Sequence, residues 1–292
     1  MDRIIDIHNH IIFDVDDGPG TLDASMRLLR QAVENNITDI VATPHQLEEH
    51  QASNNHERQN KVIKNFKELK AAAKKEGLPL HLYLGGELYF TTHVVHAPEI
   101  PYFTYEDHKK YALIEFSLNW HPEGYKEVFY ELIQNGCTPV LAHPERYGYF
   151  WEIVDDIIDL IKMGTLLQIN AGSLLGYTGT QARFISEMLL SEGLVHIIAS
   201  DAHRASRAIG FNMPRAVDIF KEKYPNIDFK TLISINPWKI IQGEPIEIDD
   251  DPCYSFDKNK QYKLWKRFYF VHDILGIGNK ATKKRKKIRR YF

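Results

Sequence analysis

Residues 6–21 read DIHNHIIFDVDDGPGT, and this stretch decides how the rest of the chain is interpreted. An apolar run that begins at Ile4 ends in His8 and His10, and aspartates follow at positions 14, 16 and 17. Because side chains alternate along a β-strand, two histidines spaced two apart point the same way. The stretch therefore predicts a first strand whose end carries two imidazoles beside an acidic loop.

Six further runs share the apolar, β-branched character that is typical of parallel strands covered on both faces. Amphipathic segments lie between most of them, with Thr21 as a candidate N-cap and glycines as helix stops. We predict strands at 4–8, 39–43, 80–85, 111–115, 139–142, 166–170 and 195–200, and helices at 21–36, 56–76, 125–135, 151–163 and 180–192. About seven βα units predict an α/β fold with a parallel, barrel-like sheet inside a layer of helices.

The composition is that of a soluble globular enzyme: 43% of the 292 residues are hydrophobic and 26% are charged. No apolar stretch has the length of a bilayer span, and the first residues lack the pattern of a signal peptide. Two cysteines do not make a disulfide framework. A cytoplasmic location is the expectation.

The charge is distributed unevenly along the chain. Residues 251–292 contain 13 Lys and Arg and 3 Asp and Glu, a net charge of +10. Since the whole chain has a net charge of −3, the first 250 residues have a net charge of −13. The acidic run EPIEIDDDP at 244–252 marks the boundary. We predict a catalytic domain over 1–245 and a basic extension over 246–292, comprising an amphipathic helix within 258–275 and a polybasic end.

The predicted strands end in chemically similar residues, and in a parallel barrel those ends converge at the active site. Asn170 ends the sixth strand, and Asp17 lies in the loop after the first. The other strand ends and the residues just beyond them carry His8, His10, His45, Glu87, Glu115, His143, Arg146, Asp201 and His203. Each feature alone has an ordinary explanation, such as a hydrogen-bonded histidine pair or a helix cap at DAH.

Together these side chains predict a metal centre. Buried carboxylates and imidazoles without partners would cost several kcal/mol each, and divalent cations remove that penalty. Five histidines and four carboxylates suffice for more than one ion. Because no cysteine is among them, the ligand set suits manganese, iron or zinc in a catalytic role.

The motifs resemble the PHP (polymerase and histidinol phosphatase) superfamily, and in particular the manganese-dependent tyrosine-protein phosphatases of bacterial capsule and exopolysaccharide operons. The resemblance extends over residues 1 to about 243. Besides the opening stretch, it rests on TPH at 43–45, GGELY at 85–89, ALIEFS at 112–117, AHPERY at 142–147 and ASDAH at 199–203.

The resemblance implies a distorted (β/α)7 barrel with a three-metal centre, most simply Mn²⁺, with Fe, Co or Zn as alternatives. It assigns His8, His10, Glu87 and Asp201 to the first ion, Glu87, Glu115 and His143 to the second, and Asp17, His45 and His203 to the third. On sequence alone, Asp14 and Asp16 are alternatives to Asp17.

The resemblance also implies hydrolysis of phosphotyrosine by a metal-activated hydroxide, with Arg146 and Arg207 contacting phosphate. Arg204 is an alternative to Arg207, and His45 is a candidate proton donor. The implied substrate is a tyrosine-phosphorylated protein, specifically a membrane tyrosine autokinase that controls polysaccharide export. A cysteine-dependent phosphatase is excluded, because His143 and Asn259 stand six residues after Cys137 and Cys253, where such enzymes need arginine.

Two alternatives stay open. One is another PHP phosphoesterase, such as a histidinol phosphatase, with the same metal centre. The other is a membrane-associated regulatory or scaffold protein, suggested by a basic extension that suits an anionic membrane surface at the inner face of the membrane. No nucleic-acid recognition motif accompanies the extension. A homo-oligomer is compatible with the sequence.

Overall fold

The computed structural model describes residues 3–46, 55–206, 208–248 and 257–274. Two residues discussed above, Arg207 and Cys253, and the polybasic end at 275–292 lie outside them. The described residues contain nine short parallel strands: β1 (Ile5–Asp6), β2 (Asp39–Ala42), β3 (His45–Gln46), β4 (His81–Leu84), β5 (Glu87–Tyr89), β6 (Tyr111–Glu115), β7 (Thr138–Ala142), β8 (Leu166–Asn170) and β9 (Ile197–Ala199).

The strands form two sheets with the orders β1-β2-β4 and β3-β5-β6-β7-β8-β9. β3 continues the path of β2, and β5 continues that of β4, so the nine strands follow seven paths. The first and last paths meet at a parallel bridge between Asn9 and Ala202, where the His10 N–H donates to the Ala202 carbonyl at 2.8 Å. The predicted barrel-like α/β fold is confirmed.

The barrel is distorted where β2 and β4 are interrupted. A Cβ on Gly86 would lie 2.9 Å from Cγ of Gln46 and 3.2 Å from the Tyr102 carbonyl oxygen, so a larger residue directly before β5 would displace its neighbours. A 3₁₀ turn, Tyr105–Asp107, lies between β4 and β6, and the Glu106 carboxylate accepts a hydrogen bond from the Leu84 N–H at 2.6 Å. Neither β3 nor β5 was predicted as a strand, because the predicted strands at 39–43 and 80–85 both end before them.

The five predicted helices form, and Thr21 caps the first by accepting a hydrogen bond from the Ala24 N–H at 3.3 Å. Three helices after β8 and β9 were not predicted. Ala171–Leu174 and Asn236–Gln242 have only 4 and 7 residues, whereas Met213–Lys223 has 11, and its buried Met213, Ala216 and Phe220 recur at helical spacing. The helices are α1 (Leu22–Glu34), α2 (Asn55–Glu76), α3 (Tyr125–Gln134), α4 (Phe150–Lys162), α5 (Ala171–Leu174), α6 (Thr180–Ser191), α7 (Met213–Lys223), α8 (Asn236–Gln242) and α9 (Lys258–Ile274).

One apolar cluster fills the interior of the barrel. It combines side chains of strands that are not neighbours, which can meet only across the interior: Ile5, Val41, Leu113, Val140, Leu166 and Ile197. Ile240 and Ile241 of α8 belong to the same cluster and close the barrel at the N-terminal ends of the strands. The opposite, C-terminal ends are therefore the open end of the barrel.

Helix α9 packs on the outside of the barrel against α4 and α6. The Trp151 ring of α4 lies 5.6 Å from the ring of Tyr262 and 6.0 Å from that of Trp265. Nζ of Lys258 lies 2.8 Å from a carboxylate oxygen of Asp155. Among the described residues no helix combines the length and apolarity needed to cross a bilayer.

His196, just before β9, makes the fold sensitive to acid. Its Nδ1 accepts a hydrogen bond from the Leu167 N–H at 3.0 Å, which requires a neutral ring, and burial lowers its pKa to about 4. In the unfolded chain this ring is protonated near pH 6.5. The contribution of His196 to the free energy of unfolding is therefore complete above that pH and is lost as the pH falls toward 4.

We expect His196→Gln, whose amide oxygen can accept the same hydrogen bond, to lose less stability than the wild type between pH 7 and 4.5. The difference amounts to at most about 3 kcal/mol. Urea unfolding midpoints across this pH range, in the presence of a chelator, measure it. His93→Gln, at an exposed position, is the control. Parallel pH curves for His196→Gln and the wild type would contradict the prediction.

Candidate metal centre

The open end of the barrel gathers five imidazoles and four carboxylates from six strand paths. Their donor atoms form four overlapping groups, and within each group the atoms lie within 4.8 Å of one another. The groups are His8–His10–Asp201, His8–Glu87–His143, His45–Glu87–Glu115 and His10–Asp17–His45–His203. The structure thus brings together all nine residues predicted as ligands.

Glu87, the first residue of β5, is at the centre of the cluster and is fully buried. One carboxylate oxygen lies 3.0 Å from Nε2 of both His8 and His143. The other lies 3.0 Å from Nδ1 of His45 and 3.2 Å from Nε2 of His10. Burial alone would raise the pKa of Glu87, but the four imidazoles outweigh burial and hold the pKa well below its usual range.

Asp201 follows β9 and uses its two carboxylate oxygens differently. Oδ1 lies 3.6 Å from Nε2 of His8 and 3.5 Å from Nε2 of His10. Oδ2 accepts hydrogen bonds from Nδ2 of Asn170 at 2.7 Å and from Nη1 of Arg146 at 2.6 Å. Oδ1 is therefore the oxygen directed at the imidazoles.

Two of these residues have a left-handed backbone, which is uncommon for side chains other than glycine. The φ angles are 33° at His143 and 53° at Asp201. Both residues come directly after or close to the end of a strand, where the turn aims the side chain back over the barrel. Such conformations cost of order 1–3 kcal/mol each and concentrate at functional sites.

The three aspartates of the opening stretch have separate positions. Oδ1 of Asp17 lies 3.1 Å from Nε2 of His203 and 3.4 Å from Nε2 of His45, although the side chain is 67% exposed. Hydrogen bonds with the two histidines lower its pKa. Asp14 instead faces outward and pairs with Lys61 at 2.9 Å. The geometry favours Asp17 as the candidate ligand.

Asp16, an alternative ligand on sequence alone, lies behind His10 rather than among the candidate ligand atoms. Its Oδ2 lies 2.8 Å from Nδ1 of His10 and accepts the His45 N–H at 3.2 Å, while Oδ1 accepts the Gly18 N–H at 3.0 Å. A buried carboxylate on Nδ1 leaves Nε2 of His10 to face the cluster, as a carboxylate behind a metal-binding histidine does.

Of the two candidate phosphate-binding arginines, Arg146 is described. It ends the 3₁₀ turn Pro144–Arg146, its side chain is 28% exposed, and it pairs with Asp201 at the edge of the cluster. Arg204, the alternative to Arg207, is exposed. His45 lies within the cluster, with a side chain that is 23% exposed, so it is accessible to a ligand entering the barrel.

The charges of the cluster favour a cation. Burial opposes protonation of His8, yet Glu87 and Asp201 raise its pKa to about 9. His10 behaves in the same way: burial lowers its pKa, and Asp16 raises it well above the usual range. The carboxylates thus favour positive charge at His8 and His10, and a metal ion bound there would displace protons.

The donor atoms fit a bound metal ion. Nε2 of His8, Nε2 of His10 and Oε2 of Glu87 are buried and have no hydrogen-bond partner of suitable geometry. Two ligands about 2.1 Å from one ion lie about 3.0–3.4 Å apart, which is close to the contact distances in the cluster. An ion would satisfy these atoms, and nitrogen with carboxylate oxygen suits manganese, iron or zinc.

Cysteine chemistry is excluded for the described cysteine. Cys137 is fully buried before β7, and burial raises the pKa of its thiol to about 12. A thiol in that state supplies no nucleophile at neutral pH.

The cluster at the open end of a parallel α/β barrel is the ligand set of a metal-dependent enzyme. The chain belongs to the capsular polysaccharide synthesis family CpsB/CapC, which matches residues 4–242. The family resemblance drawn from the motifs is therefore confirmed.

Individual relatives agree with this assignment. The chain is 41% identical to the CapC protein of Staphylococcus aureus over 200 residues, which is 68% of this chain and 77% of that protein. It is 32% identical to the tyrosine-protein phosphatase CpsB of Streptococcus pneumoniae over 248 residues, 83% of this chain and 100% of that protein.

A solved structure is also similar. It belongs to work on YwqE of Bacillus subtilis and CpsB of Streptococcus pneumoniae, described as metal-dependent tyrosine phosphatases. The TM-score is 0.77 and the identity 29%, and the match covers 87% of this chain and 100% of that one.

We expect Mn²⁺ to raise the thermal unfolding temperature of the metal-free protein, prepared with a chelator, by several degrees, because an ion bound only by the folded state stabilises that state. Glu87→Ala removes the carboxylate shared by four histidines, so most of that increase should disappear. Differential scanning calorimetry with and without Mn²⁺ measures the shift, and Glu99→Ala, at an exposed glutamate, is the control. An unchanged increase in Glu87→Ala would argue against the site.

Proposed function

We propose that the protein is a metal-dependent protein-tyrosine phosphatase that acts in capsular or exopolysaccharide synthesis. The observation that carries the proposal is the buried Glu87 carboxylate in contact with four imidazoles, with Arg146 at the edge of the same cluster. The activities named for CpsB and YwqE support the reaction type.

The nine predicted ligands would hold the metal, which we propose is manganese. When bound, such ions neutralise the charge of a phosphate group and lower the pKa of water. The mixture of imidazole and carboxylate without thiolate supports manganese, and iron, cobalt or zinc would use similar donors.

Arg146 has the role of binding the phosphate oxygens. Its planar guanidinium group offers several N–H donors, and Asp201 fixes one of them at 2.6 Å, which leaves others to contact a phosphoryl group. Arg207 has the same proposed role. His45 has a partly exposed side chain and contacts Asp17, Glu87 and Glu115, so it is the proposed donor of a proton to the leaving oxygen.

The substrate must bring its phosphate to the open end of the barrel. Asp17, His45 and Arg146 are all partly exposed there, so the centre is accessible to a phosphate on a protein side chain. Phenolate is a good leaving group, which suits phosphotyrosine and makes strong acid catalysis unnecessary. The proposed substrate is a membrane tyrosine autokinase.

We expect Mn²⁺ to restore phosphate release from a phosphotyrosine peptide after chelation, with little release from histidinol phosphate. Colorimetric phosphate assays on both substrates measure this. Cys137→Ser should keep its activity, because the buried thiol has no part in the reaction. A preference for histidinol phosphate would leave the metal centre standing and refute the substrate. Turnover by the protein after a chelator has removed its metal would refute the metal-dependent reaction.

We also propose that the basic extension contacts an anionic membrane surface, which would place the enzyme peripherally at the membrane beside its substrate. Helix α9 has two faces. Residues 258, 261, 262 and 265 face the barrel, whereas Lys260, Lys263, Leu264 and Arg267 recur at helical spacing on the other side and are exposed. The family match ends at residue 242, before this helix. Self-association is compatible with this arrangement.

Vesicle co-sedimentation tests the contact. We expect the full chain to bind vesicles that contain phosphatidylglycerol, and to bind neutral vesicles weakly. A chain that ends at residue 250 should lose binding, and the variant Lys260→Glu/Lys263→Glu/Arg267→Glu should weaken it, since each basic residue contributes about 1 kcal/mol near such a surface. Equal binding by the full and shortened chains would refute the contact.

A further inference from the structure

Strand β8 ends at the metal centre without contributing a charged residue. Instead it carries Gln168 and Asn170, which are spaced two apart and therefore share one face of the strand. Both side chains are buried, with 0% and 2% exposure, in a strand that is otherwise apolar. A buried amide requires hydrogen-bond partners, and both find them among the candidate ligands.

The partners form one continuous chain of three hydrogen bonds. Nδ1 of His8 lies 2.8 Å from Oε1 of Gln168, Nε2 of Gln168 donates to Oδ1 of Asn170 at 2.8 Å, and Nδ2 of Asn170 donates to Oδ2 of Asp201 at 2.7 Å. The chain begins at one proposed ligand and ends at another.

The direction of the chain is fixed by its last member. The Asp201 carboxylate only accepts, so Asn170 must donate its amide N–H and accept on its oxygen. Gln168 must then donate to Asn170, and its own oxygen accepts from His8. Nδ1 of His8 therefore carries the proton, and Nε2 is directed at Glu87 and Asp201.

We propose that Gln168 and Asn170 are positioning residues that act as one neutral relay, orienting His8 and Asp201 toward the same metal ion. This inference rests on the metal centre of the proposed function. The relay fixes the His8 tautomer that leaves Nε2 free for metal. It also holds Oδ2 of Asp201, so that Oδ1 faces the ion.

Amides achieve this without adding charge. A carboxylate at position 168 would also accept from Nδ1 of His8, as Asp16 does for His10. It would place another negative charge in a cluster of buried carboxylates and could not donate to Asn170. Asn170 has a second effect, because it keeps Asp201 hydrogen-bonded if Arg146 turns from Asp201 to a phosphate group.

The test measures Mn²⁺ affinity. The metal-free, full-length protein is titrated with Mn²⁺, and the electron paramagnetic resonance signal reports the free ion. Gln168→Leu keeps the side-chain size but removes both hydrogen bonds, and Asn170→Ala removes the link to Asp201. We expect each to weaken the tightest site by 10- to 100-fold, as is typical when the partner of a metal ligand is lost.

The double variant should weaken the site little more than either single variant, because the two side chains act through one chain. Gln168→Glu retains the acceptor for His8, so it should recover part of the affinity lost in Gln168→Leu. Gln181→Leu is the control, since Gln181 donates to the Tyr147 carbonyl at 3.3 Å and contacts no proposed ligand.

The outcomes separate the relay from the function on which it rests. If the wild type binds no Mn²⁺, both proposals fall. If the wild type binds and the variants bind equally well, the relay alone is overturned. A lower unfolding temperature of the metal-free variants with unchanged Mn²⁺ affinity has the same meaning, because it would show that the amides serve only to pack β8.

Discussion

The structure of the open end of the barrel depends on one buried carboxylate. Glu87 meets four imidazoles at 3.0–3.2 Å, and those imidazoles arrive from three other strand paths. Each contact lies in a place with little water, where a buried carboxylate or imidazole that lost its partner would carry a free-energy penalty. The C-terminal ends of the seven strand paths must therefore lie at the same level along the barrel axis, so that their side chains can meet. Gly86, directly before Glu87, leaves no room for a Cβ between Gln46 and the Tyr102 carbonyl.

Much of this arrangement could be predicted from the sequence because it follows from strand periodicity. His8 and His10, and Asp201 and His203, are pairs spaced two apart at the ends of apolar runs, and parallel strands end on the same side. The same rule places Gln168 and Asn170 on one face at the end of β8, but uncharged amide side chains carry no signal of a metal ligand. Hydrophobic pattern predicted the long helices for a similar physical reason, since a continuous apolar face needs several turns.

Other features depend on contacts that periodicity does not contain. The choice among Asp14, Asp16 and Asp17 is decided by the path of one loop, which directs Asp14 to Lys61, Asp16 to His10 and Asp17 to His203. The left-handed backbone at His143 and Asp201 is likewise imposed by the surrounding structure rather than by the local sequence. The break between β4 and β5 lies beside a 3₁₀ turn that is distant in sequence, where the Glu106 carboxylate accepts a hydrogen bond from the Leu84 N–H.

The direction of α9 has a consequence for access. Lys258 lies opposite Asp155, in the second turn of α4, whereas Tyr262 and Trp265 lie opposite Trp151, near the start of α4. Because α4 begins shortly after Arg146, its first residues lie near the open end of the barrel. Helix α9 therefore runs antiparallel to α4 along the outside of the barrel, toward that open end. A flat surface in contact with the outward face of α9 would therefore lie beside the open end of the barrel rather than below its closed, N-terminal end. A substrate held on that surface could reach the entrance by lateral diffusion, so the search for it would take place in two dimensions.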